Sequence, residues 1–165
     1  MHSKALSGRL EAVATHPVAE LLECPPDTGS MLSGAAQTIQ AGAGEVIFRQ
    51  GEPCRGLYLV VSGNFQRRTE RLDSRLMLGQ ARPGDLVELA AALGDLSHTY
   101  TLSAQSEGSM LLLPIDTLRQ AFHSHPPLRM KLLEELAREV SRAYALCSLT
   151  RTVRTRRRAG KAGAN

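Results

Sequence analysis

The sequence lacks several features that would assign it to a particular class of protein. Its three cysteines, Cys24, Cys54 and Cys147, are widely spaced and contain no Cys-x-x-Cys pair, so we predict free thiols and no metal or iron–sulfur site. No apolar run approaches the roughly 18 residues that span a bilayer, and no apolar segment of a secretion signal follows the N-terminus. These absences favour a cytoplasmic protein that does not enter a membrane.

Common catalytic motifs are also missing. The chain contains no Gly-x-Ser-x-Gly elbow, no phosphate-binding loop and no His-Glu-x-x-His sequence. Asp85 and Glu88 lie three residues apart at a predicted helix start, a spacing typical of helix capping. Cys54 next to Arg55 could be a mildly activated thiol, but no histidine is near it in sequence. We therefore predict that the protein is not an enzyme.

Charge is distributed unevenly along the chain. The net charge is +4, but six positive charges lie between Arg151 and Lys161, and residues 1–150 carry a net charge of −2. The last residues are mostly arginine, small and polar, without interleaved aromatics that could stack on bases. We expect a solvated tail, with at most weak, salt-sensitive binding to DNA.

Three histidines are candidates for ligands to a haem or a metal ion. His98, His123 and His125 have no accompanying ligand set with metal-like spacing. His123 and His125 flank a helix end just before two prolines, where histidine commonly contacts free carbonyls. We expect all three to lie on the surface.

Short β-type runs punctuated by glycine fill the middle of the chain and predict a small antiparallel barrel or sandwich. The predicted strands cover residues 45–48, 57–61, 65–69, 75–78, 100–104 and 110–113.

Helices are predicted at both ends of these strands. Weakly amphipathic stretches cover residues 6–22 and 31–38, and a breaker cluster separates them at residues 24–29. Asp116 can cap a short helix that ends at Phe122. A long helix follows from Leu128 to about Leu149, because this segment has no glycine or proline.

The long helix carries apolar residues at alternating spacings of three and four. We expect this seam to pair two copies of the chain; packing on the chain's own β-domain alone is the alternative. The predicted seam consists of Leu133, Leu136, Val140, Ala143 and Cys147, and a second set, Leu128, Leu132 and Leu146, is expected to face the parent domain.

Two glycine-bounded segments resemble the opening strands of the cyclic-nucleotide-binding domain superfamily. They run from Gly42 to Pro53 and from Gly56 to Gly63, with Gly51 and Gly63 at predicted tight turns. Residues 82–86 resemble the family's turn into its ligand cassette, and residues 110–114 resemble its last strand. The long helix is similar to the dimerisation helix of Crp/Fnr-type bacterial regulators.

The resemblance implies a fold and a domain organisation. We expect an α+β, mainly β fold: an antiparallel β-roll with short N-terminal helices and a long C-terminal dimerisation helix. Residues 1–38 are then a helical lead-in, 39–126 the β-roll, 127–150 the long helix and 151–165 a disordered basic tail.

The family's phosphate cassette is incomplete in this sequence. Family members use a Gly-Glu pair and an arginine followed by serine or threonine to hold a cyclic nucleotide, and helix N-termini with arginine are strong anion sites. Glu88 and Thr99 match this pattern, whereas Val87 replaces the glycine and His98, expected to be mostly neutral, replaces the arginine. An alternative alignment places Glu88 at the family glycine and Leu89 at its glutamate; both lose the arginine. Binding of cyclic AMP or cyclic GMP is therefore doubtful.

These observations predict a regulatory module that forms a homodimer and senses a small effector or a protein partner. Two alternatives remain: the sensory part of a DNA-binding regulator, which requires a helix-turn-helix beyond this chain, or an interaction module whose own side chains fill its pocket. The predicted pocket residues are Gly84, Asp85, Glu88, Leu89, His98, Thr99 and Tyr100.

Overall fold

The computed structural model describes residues 18–71 and 74–161, and the side chains of residues 18–69 and 78–145. Residues 18–22 are helical, and the predicted stretch before them lies outside the described residues. The helices that follow are α1 (Pro26–Ala35), α2 (Leu89–Leu93), α3 (Ile115–Ser124) and α4 (Pro126–Lys161). The strands are β1 (Gln37–Ala41), β2 (Val46–Phe48), β3 (Gly56–Ser62), β4 (Phe65–Arg71), β5 (Ser74–Ala81), β6 (Leu86–Val87), β7 (Thr101–Ala104) and β8 (Gly108–Pro114).

The strands form two four-stranded antiparallel sheets. One sheet has the order β1-β8-β3-β6, and the other has the order β2-β7-β4-β5. Because consecutive strands repeatedly cross from one sheet to the other, the two sheets close into a roll. The predicted α+β fold with an antiparallel β-roll and a long C-terminal helix is confirmed.

Two strands are buried on both faces, and they connect the interior of the roll to the helices. Tyr58 and Val60 of β3 point into the roll, whereas Leu57 and Leu59 pack against the helical layer. The same alternation in β8 places Met110 inside the roll. The sequences of β3 and β8 are therefore nearly continuous apolar runs. Each fully buried leucine contributes about 1.5–3 kcal/mol.

Glycines allow the tight turns that the sequence predicted. Gly51 and Gly63 have φ values of 84° and 79°, in the left-handed region where side chains are disfavoured. A Cβ atom at Gly63 would also lie 2.6 Å from the carbonyl oxygen of Glu107. Both turns therefore depend on glycine.

The N-terminal helices differ from the prediction. Helix α1 begins at Pro26, inside the expected breaker cluster, because proline is favoured in the first turn of a helix. Gly29 lies within this helix, where a Cβ atom would overlap Ala19.

The short helix α3 also begins differently from the prediction. Pro114 occupies its N-cap position, and Asp116 lies inside the first turn without capping the helix.

Helix α4 is longer than predicted. Its expected end was near Leu149, but the helix continues through Lys161, and residues 162–165 lie outside the described residues. No glycine or proline occurs between Leu128 and Ala159, and arginine is a good helix former. Among the described residues, no helix is long and apolar enough to cross a membrane.

Candidate functional site

The candidate site is built around the junction between β6 and α2. Val87 ends β6, pairs with Tyr58 and is completely buried. Glu88 follows with a φ of 72° and occupies the N-cap position of α2, but its side chain does not cap the helix. Asp85 instead accepts a hydrogen bond of 2.8 Å from the backbone N–H of Arg82. The prediction that Asp85 and Glu88 cap a helix is therefore wrong, because both carboxylates have other partners.

The Glu88 carboxylate is buried and is held by its own chain. Its Oε2 atom lies 2.8 Å from Nδ1 of His98 and accepts a hydrogen bond of 3.1 Å from the backbone N–H of Thr99. Its Oε1 atom accepts a hydrogen bond of 2.8 Å from the Thr99 hydroxyl. Glu88 as a whole is 1% exposed. A buried carboxylate persists only with such partners, so this network stabilises the turn.

His98 is neither on the surface nor neutral, and both predictions were wrong. The residue is 3% exposed, and its ring stacks on Phe48 with 3.7 Å between the ring centroids. Burial lowers the pKa of His98, but hydrogen bonds to Cys54 and Glu88 raise it, to about 9. The imidazole is therefore protonated at neutral pH and forms a buried ion pair with Glu88. His123 is exposed and His125 is half-buried.

Tyr100 closes the cassette from the side of the long helix. Its hydroxyl accepts a hydrogen bond of 3.1 Å from the backbone N–H of Glu88, and burial raises the pKa of this phenol. The Arg67 guanidinium lies 5.8 Å from the centre of the Tyr100 ring. The backbone N–H of Glu88, at the start of α2, is therefore already hydrogen-bonded to the Tyr100 side chain.

The turn between β2 and β3 brings Cys54 to this cluster. Its backbone N–H donates to the carbonyl of Leu96 at 2.7 Å, and the backbone N–H of His98 donates to Glu52 at 2.9 Å. Cys54 is 5% exposed, and its thiol donates to the carbonyl of Gly56 at 3.1 Å. Cys24 is half-buried. The proximity of Cys54 to His98 was missed because the two residues are far apart in sequence.

A cleft of about 610 Å³ separates the cassette from α4. Its cationic side chains pair with carboxylates of the same chain. Arg67 lies 3.3 Å from Glu139, and Lys131 lies 2.7 Å from Glu23. Arg138 and Arg142 both bind Glu135, at 2.8 and 3.1 Å. The cations that line the cleft therefore have anionic partners before any ligand enters.

The pKa values of two of these carboxylates, Glu135 and Glu139, are shifted in opposite directions. Hydrogen bonds from Arg138 lower the pKa of Glu135. Burial raises the pKa of Glu139, and the charge of Arg67 opposes that increase. The Arg67–Glu139 pair joins α4 to β4, whereas Glu135 and Arg138 both lie on α4. Helix α4 is therefore positioned to respond, through Glu139, to a change at Arg67 in the cleft.

The predicted pocket residues fall into two groups. Gly84, Asp85, Leu89 and Tyr100 line the cleft. The other three, Glu88, His98 and Thr99, form the hydrogen-bonded network behind it. The structure thus brings all seven to one end of the roll, in two layers.

The predicted seam of α4 is divided between two environments. Leu133 and Val140 are exposed, whereas Leu136 packs against the helical core and Ala143 lines the cleft. The side chain of Cys147 lies outside the described residues. Leu128 and Leu132 are buried against the parent domain, as predicted; Leu146 also lies outside the described side chains.

A different set of residues forms a continuous exposed stripe on α4, which we call the α4 stripe. Its members keep the spacing of three and four: Met130, Leu133, Ala137, Val140 and Tyr144. The exposed fractions of Met130, Val140 and Tyr144 are 61%, 59% and 75%. Such spacing is typical of a helix face that pairs with another helix.

Comparison with known proteins agrees with this architecture. Residues 38–125 match the family described as the cyclic nucleotide-binding domain. The sensor domain of the transcriptional regulator DNR from Pseudomonas aeruginosa superposes with a TM-score of 0.71 at 18% identity, covering 82% of this chain and 94% of that domain. The catabolite activator protein of Thermus thermophilus superposes with a TM-score of 0.69 at 22% identity, covering 81% of this chain and 62% of that protein.

A curated relative matches only this domain. The lysophospholipase nte1 of Neurospora crassa is 23% identical over 104 residues, which are 62% of this chain and 7% of the relative. Because the match spans 7% of that protein, its activity says nothing about this chain. The family match covers more than half of the chain, and the strand order and the roll agree with it. The chain therefore belongs to the cyclic nucleotide-binding domain family.

Proposed function

We propose that the protein is a non-enzymatic regulatory module of the Crp/Fnr type, whose nucleotide cassette is closed by its own side chains. The observation that carries this proposal is the Glu88 carboxylate, which is 1% exposed and accepts hydrogen bonds from His98 and Thr99. A cyclic nucleotide that bound this carboxylate would have to replace those bonds. A second support is electrostatic, because the cations that line the cleft are paired with carboxylates of the same chain.

Calorimetric titration with cyclic AMP and cyclic GMP tests this proposal. We expect no binding tighter than about 10 μM, which corresponds to about −7 kcal/mol. The position of the family arginine holds His98, whose ring is stacked under Phe48 and cannot reach a phosphate in the cleft without leaving Glu88. The matched variant Glu88→Ala should leave the heat of titration unchanged. Binding of either nucleotide to the folded wild type tighter than about 10 μM would refute a closed cassette.

The module is proposed to signal through a homodimer formed by the α4 stripe. Support comes from its exposed apolar residues at heptad spacing and from the ion pair of Arg67 with Glu139, which links the cleft to the same helix. An effector or partner that occupied the cleft would break or rebuild that ion pair. The change would then reach the second copy through α4.

Val140→Glu should weaken the dimer by about 100-fold, because each chain would bury a charge without a partner. Size-exclusion chromatography with light scattering at several concentrations measures the effect. Ser141→Glu is the control, because Ser141 is exposed on the same helix but lies outside the α4 stripe. A wild-type mass of one chain at every concentration, or equal masses for both variants, would exclude this interface.

A second candidate within the same class is the sensory part of a DNA-binding regulator. It is favoured by the similarity to the DNR sensor domain, which the chain matches over 94% of that domain's length. Both candidates share the closed cassette and the α4 stripe, and they differ only in what the dimer controls.

A further inference from the structure

Three metal-ligating side chains from separate segments meet in the interior of the roll. Cys54 comes from the β2–β3 turn, Glu88 from the β6–α2 junction and His98 from the segment before β7. One ligand atom of each, the Cys54 Sγ, a carboxylate oxygen and a ring nitrogen, lies within 4.8 Å of the other two. All three residues are buried. We call this group the Cys–Glu–His cluster.

The donor set fits a zinc-like divalent cation. Thiolate, imidazole and carboxylate are the three ligand types that Zn²⁺ takes in proteins, and this combination of sulfur, nitrogen and oxygen disfavours Mg²⁺ and Ca²⁺. Binding would release the thiol proton of Cys54 and one proton of His98 to solvent, leaving a thiolate, a neutral imidazole and a carboxylate. The thiolate and the carboxylate together carry two negative charges, which one divalent cation neutralises. The loaded cluster would therefore have no net charge, which matters in an interior where uncompensated charge is costly.

The surroundings hold each donor in place. The backbone N–H of Cys54 is bonded to Leu96, and Phe48 stacks on the His98 ring. Glu88 is oriented by the N–H and hydroxyl of Thr99. Such outer contacts orient ligands and raise metal affinity in known sites. Neither ring stacking nor these hydrogen bonds need to change when the hydrogen bonds within the cluster are exchanged for bonds to an ion.

We propose that the Cys–Glu–His cluster binds one divalent transition-metal ion of the Zn²⁺ type per chain. Binding would join the β2–β3 turn to the β6–α2 junction and hold the cassette closed. The proposal goes beyond the regulatory function and does not depend on it, since a folded protein could bind the metal whether or not the cassette excludes nucleotides.

Titration with Co²⁺ tests the site in the full-length protein after reduction and removal of metals with a chelator. We expect one Co²⁺ per chain, a near-ultraviolet sulfur-to-cobalt charge-transfer band and loss of that band when Zn²⁺ is added. Cys54→Ser should abolish the band and weaken Zn²⁺ binding by at least about 100-fold in competition with a chelating dye. The double variant Cys24→Ser/Cys147→Ser should retain both properties.

The double variant keeps the test valid even if Cys54→Ser does not fold. In the double variant Cys54 is the one remaining cysteine, so a retained band must come from its thiolate. A folded wild-type protein that binds Co²⁺ without a thiolate band would overturn the proposal. So would a band that disappears in the double variant or persists in Cys54→Ser. The nucleotide titration is a separate measurement, so failure of this site leaves the proposed regulatory function standing.

Discussion

Glu88→Ala is expected to lower the free energy of unfolding by about 3–5 kcal/mol, the usual cost of removing one partner from a buried ion pair. The substitution leaves the protonated ring of His98 buried without its carboxylate, 2.8 Å from where Oε2 had been. It also leaves the hydroxyl and the backbone N–H of Thr99 without their acceptor. Because total stabilities of small domains are about 5–15 kcal/mol, this loss would be severe.

Urea denaturation at one fixed protein concentration measures this loss, since dimerisation would otherwise change the apparent stability. Glu107→Ala is the control, because this glutamate is exposed at a turn and its removal should change stability by no more than about 0.5 kcal/mol. Glu88→Gln should fall between the two, because an amide keeps an acceptor for Thr99 but loses the charge. A loss below about 1 kcal/mol in Glu88→Ala would mean that the ion pair contributes little.

The strands and the turns of the roll could be predicted because their causes are local. Gly51 and Gly63 mark turns through their positive φ, a property that a single residue carries. The strands β3 and β8 read as apolar runs because both of their faces are buried. The start of α1 was missed because the two prolines at residues 25 and 26 suggest a break, although proline also begins helices.

The chemistry of the cassette could be predicted only in part. The pairing of Glu88 with Thr99 follows from the family pattern, and the structure places them in contact. The contacts of His98 with Phe48 and Cys54 depend on how the turn between β2 and β3 folds back on the chain. No spacing along the sequence encodes such contacts, so burial and protonation of His98 could not be inferred.

The seam of α4 shows a limit of periodicity alone. Two apolar sets on this helix repeat at spacings of three and four and share Leu133 and Val140. The choice between them depends on which face the roll covers. Because Leu128 and Leu132 are buried, Leu136 turns toward the core and Met130 toward the outside. The exposed stripe is thus set by tertiary packing, and the period of the pattern cannot specify it.

Stability is expected to fall by about 3 kcal/mol as the pH rises from 6.5 to 9, through loss of the proton on His98. Burial lowers the pKa of this imidazole, but its hydrogen bonds to Cys54 and Glu88 raise it from 6.5 to about 9 in the folded state. The folded protein therefore holds the proton more tightly than the unfolded chain. The resulting stabilisation is fully present below pH 6.5, decreases between these values and is lost above pH 9.

Urea unfolding of the metal-free protein at half-unit steps from pH 6 to pH 9.5 checks this expectation, with His98→Gln as the control. The variant has no imidazole, so the difference in unfolding free energy between the two proteins should shrink as the pH rises, whatever other groups titrate. A difference that grows as the pH rises past 6.5 would instead show that His98 is neutral in the folded protein, because only the unfolded chain would then release a proton. In that case Glu88 would carry its charge into the interior with only neutral donors around it, and Glu88→Ala should then cost less than predicted, because no buried cation would be left behind. The pH series and the Glu88→Ala variant therefore both test whether His98 is protonated in the folded protein.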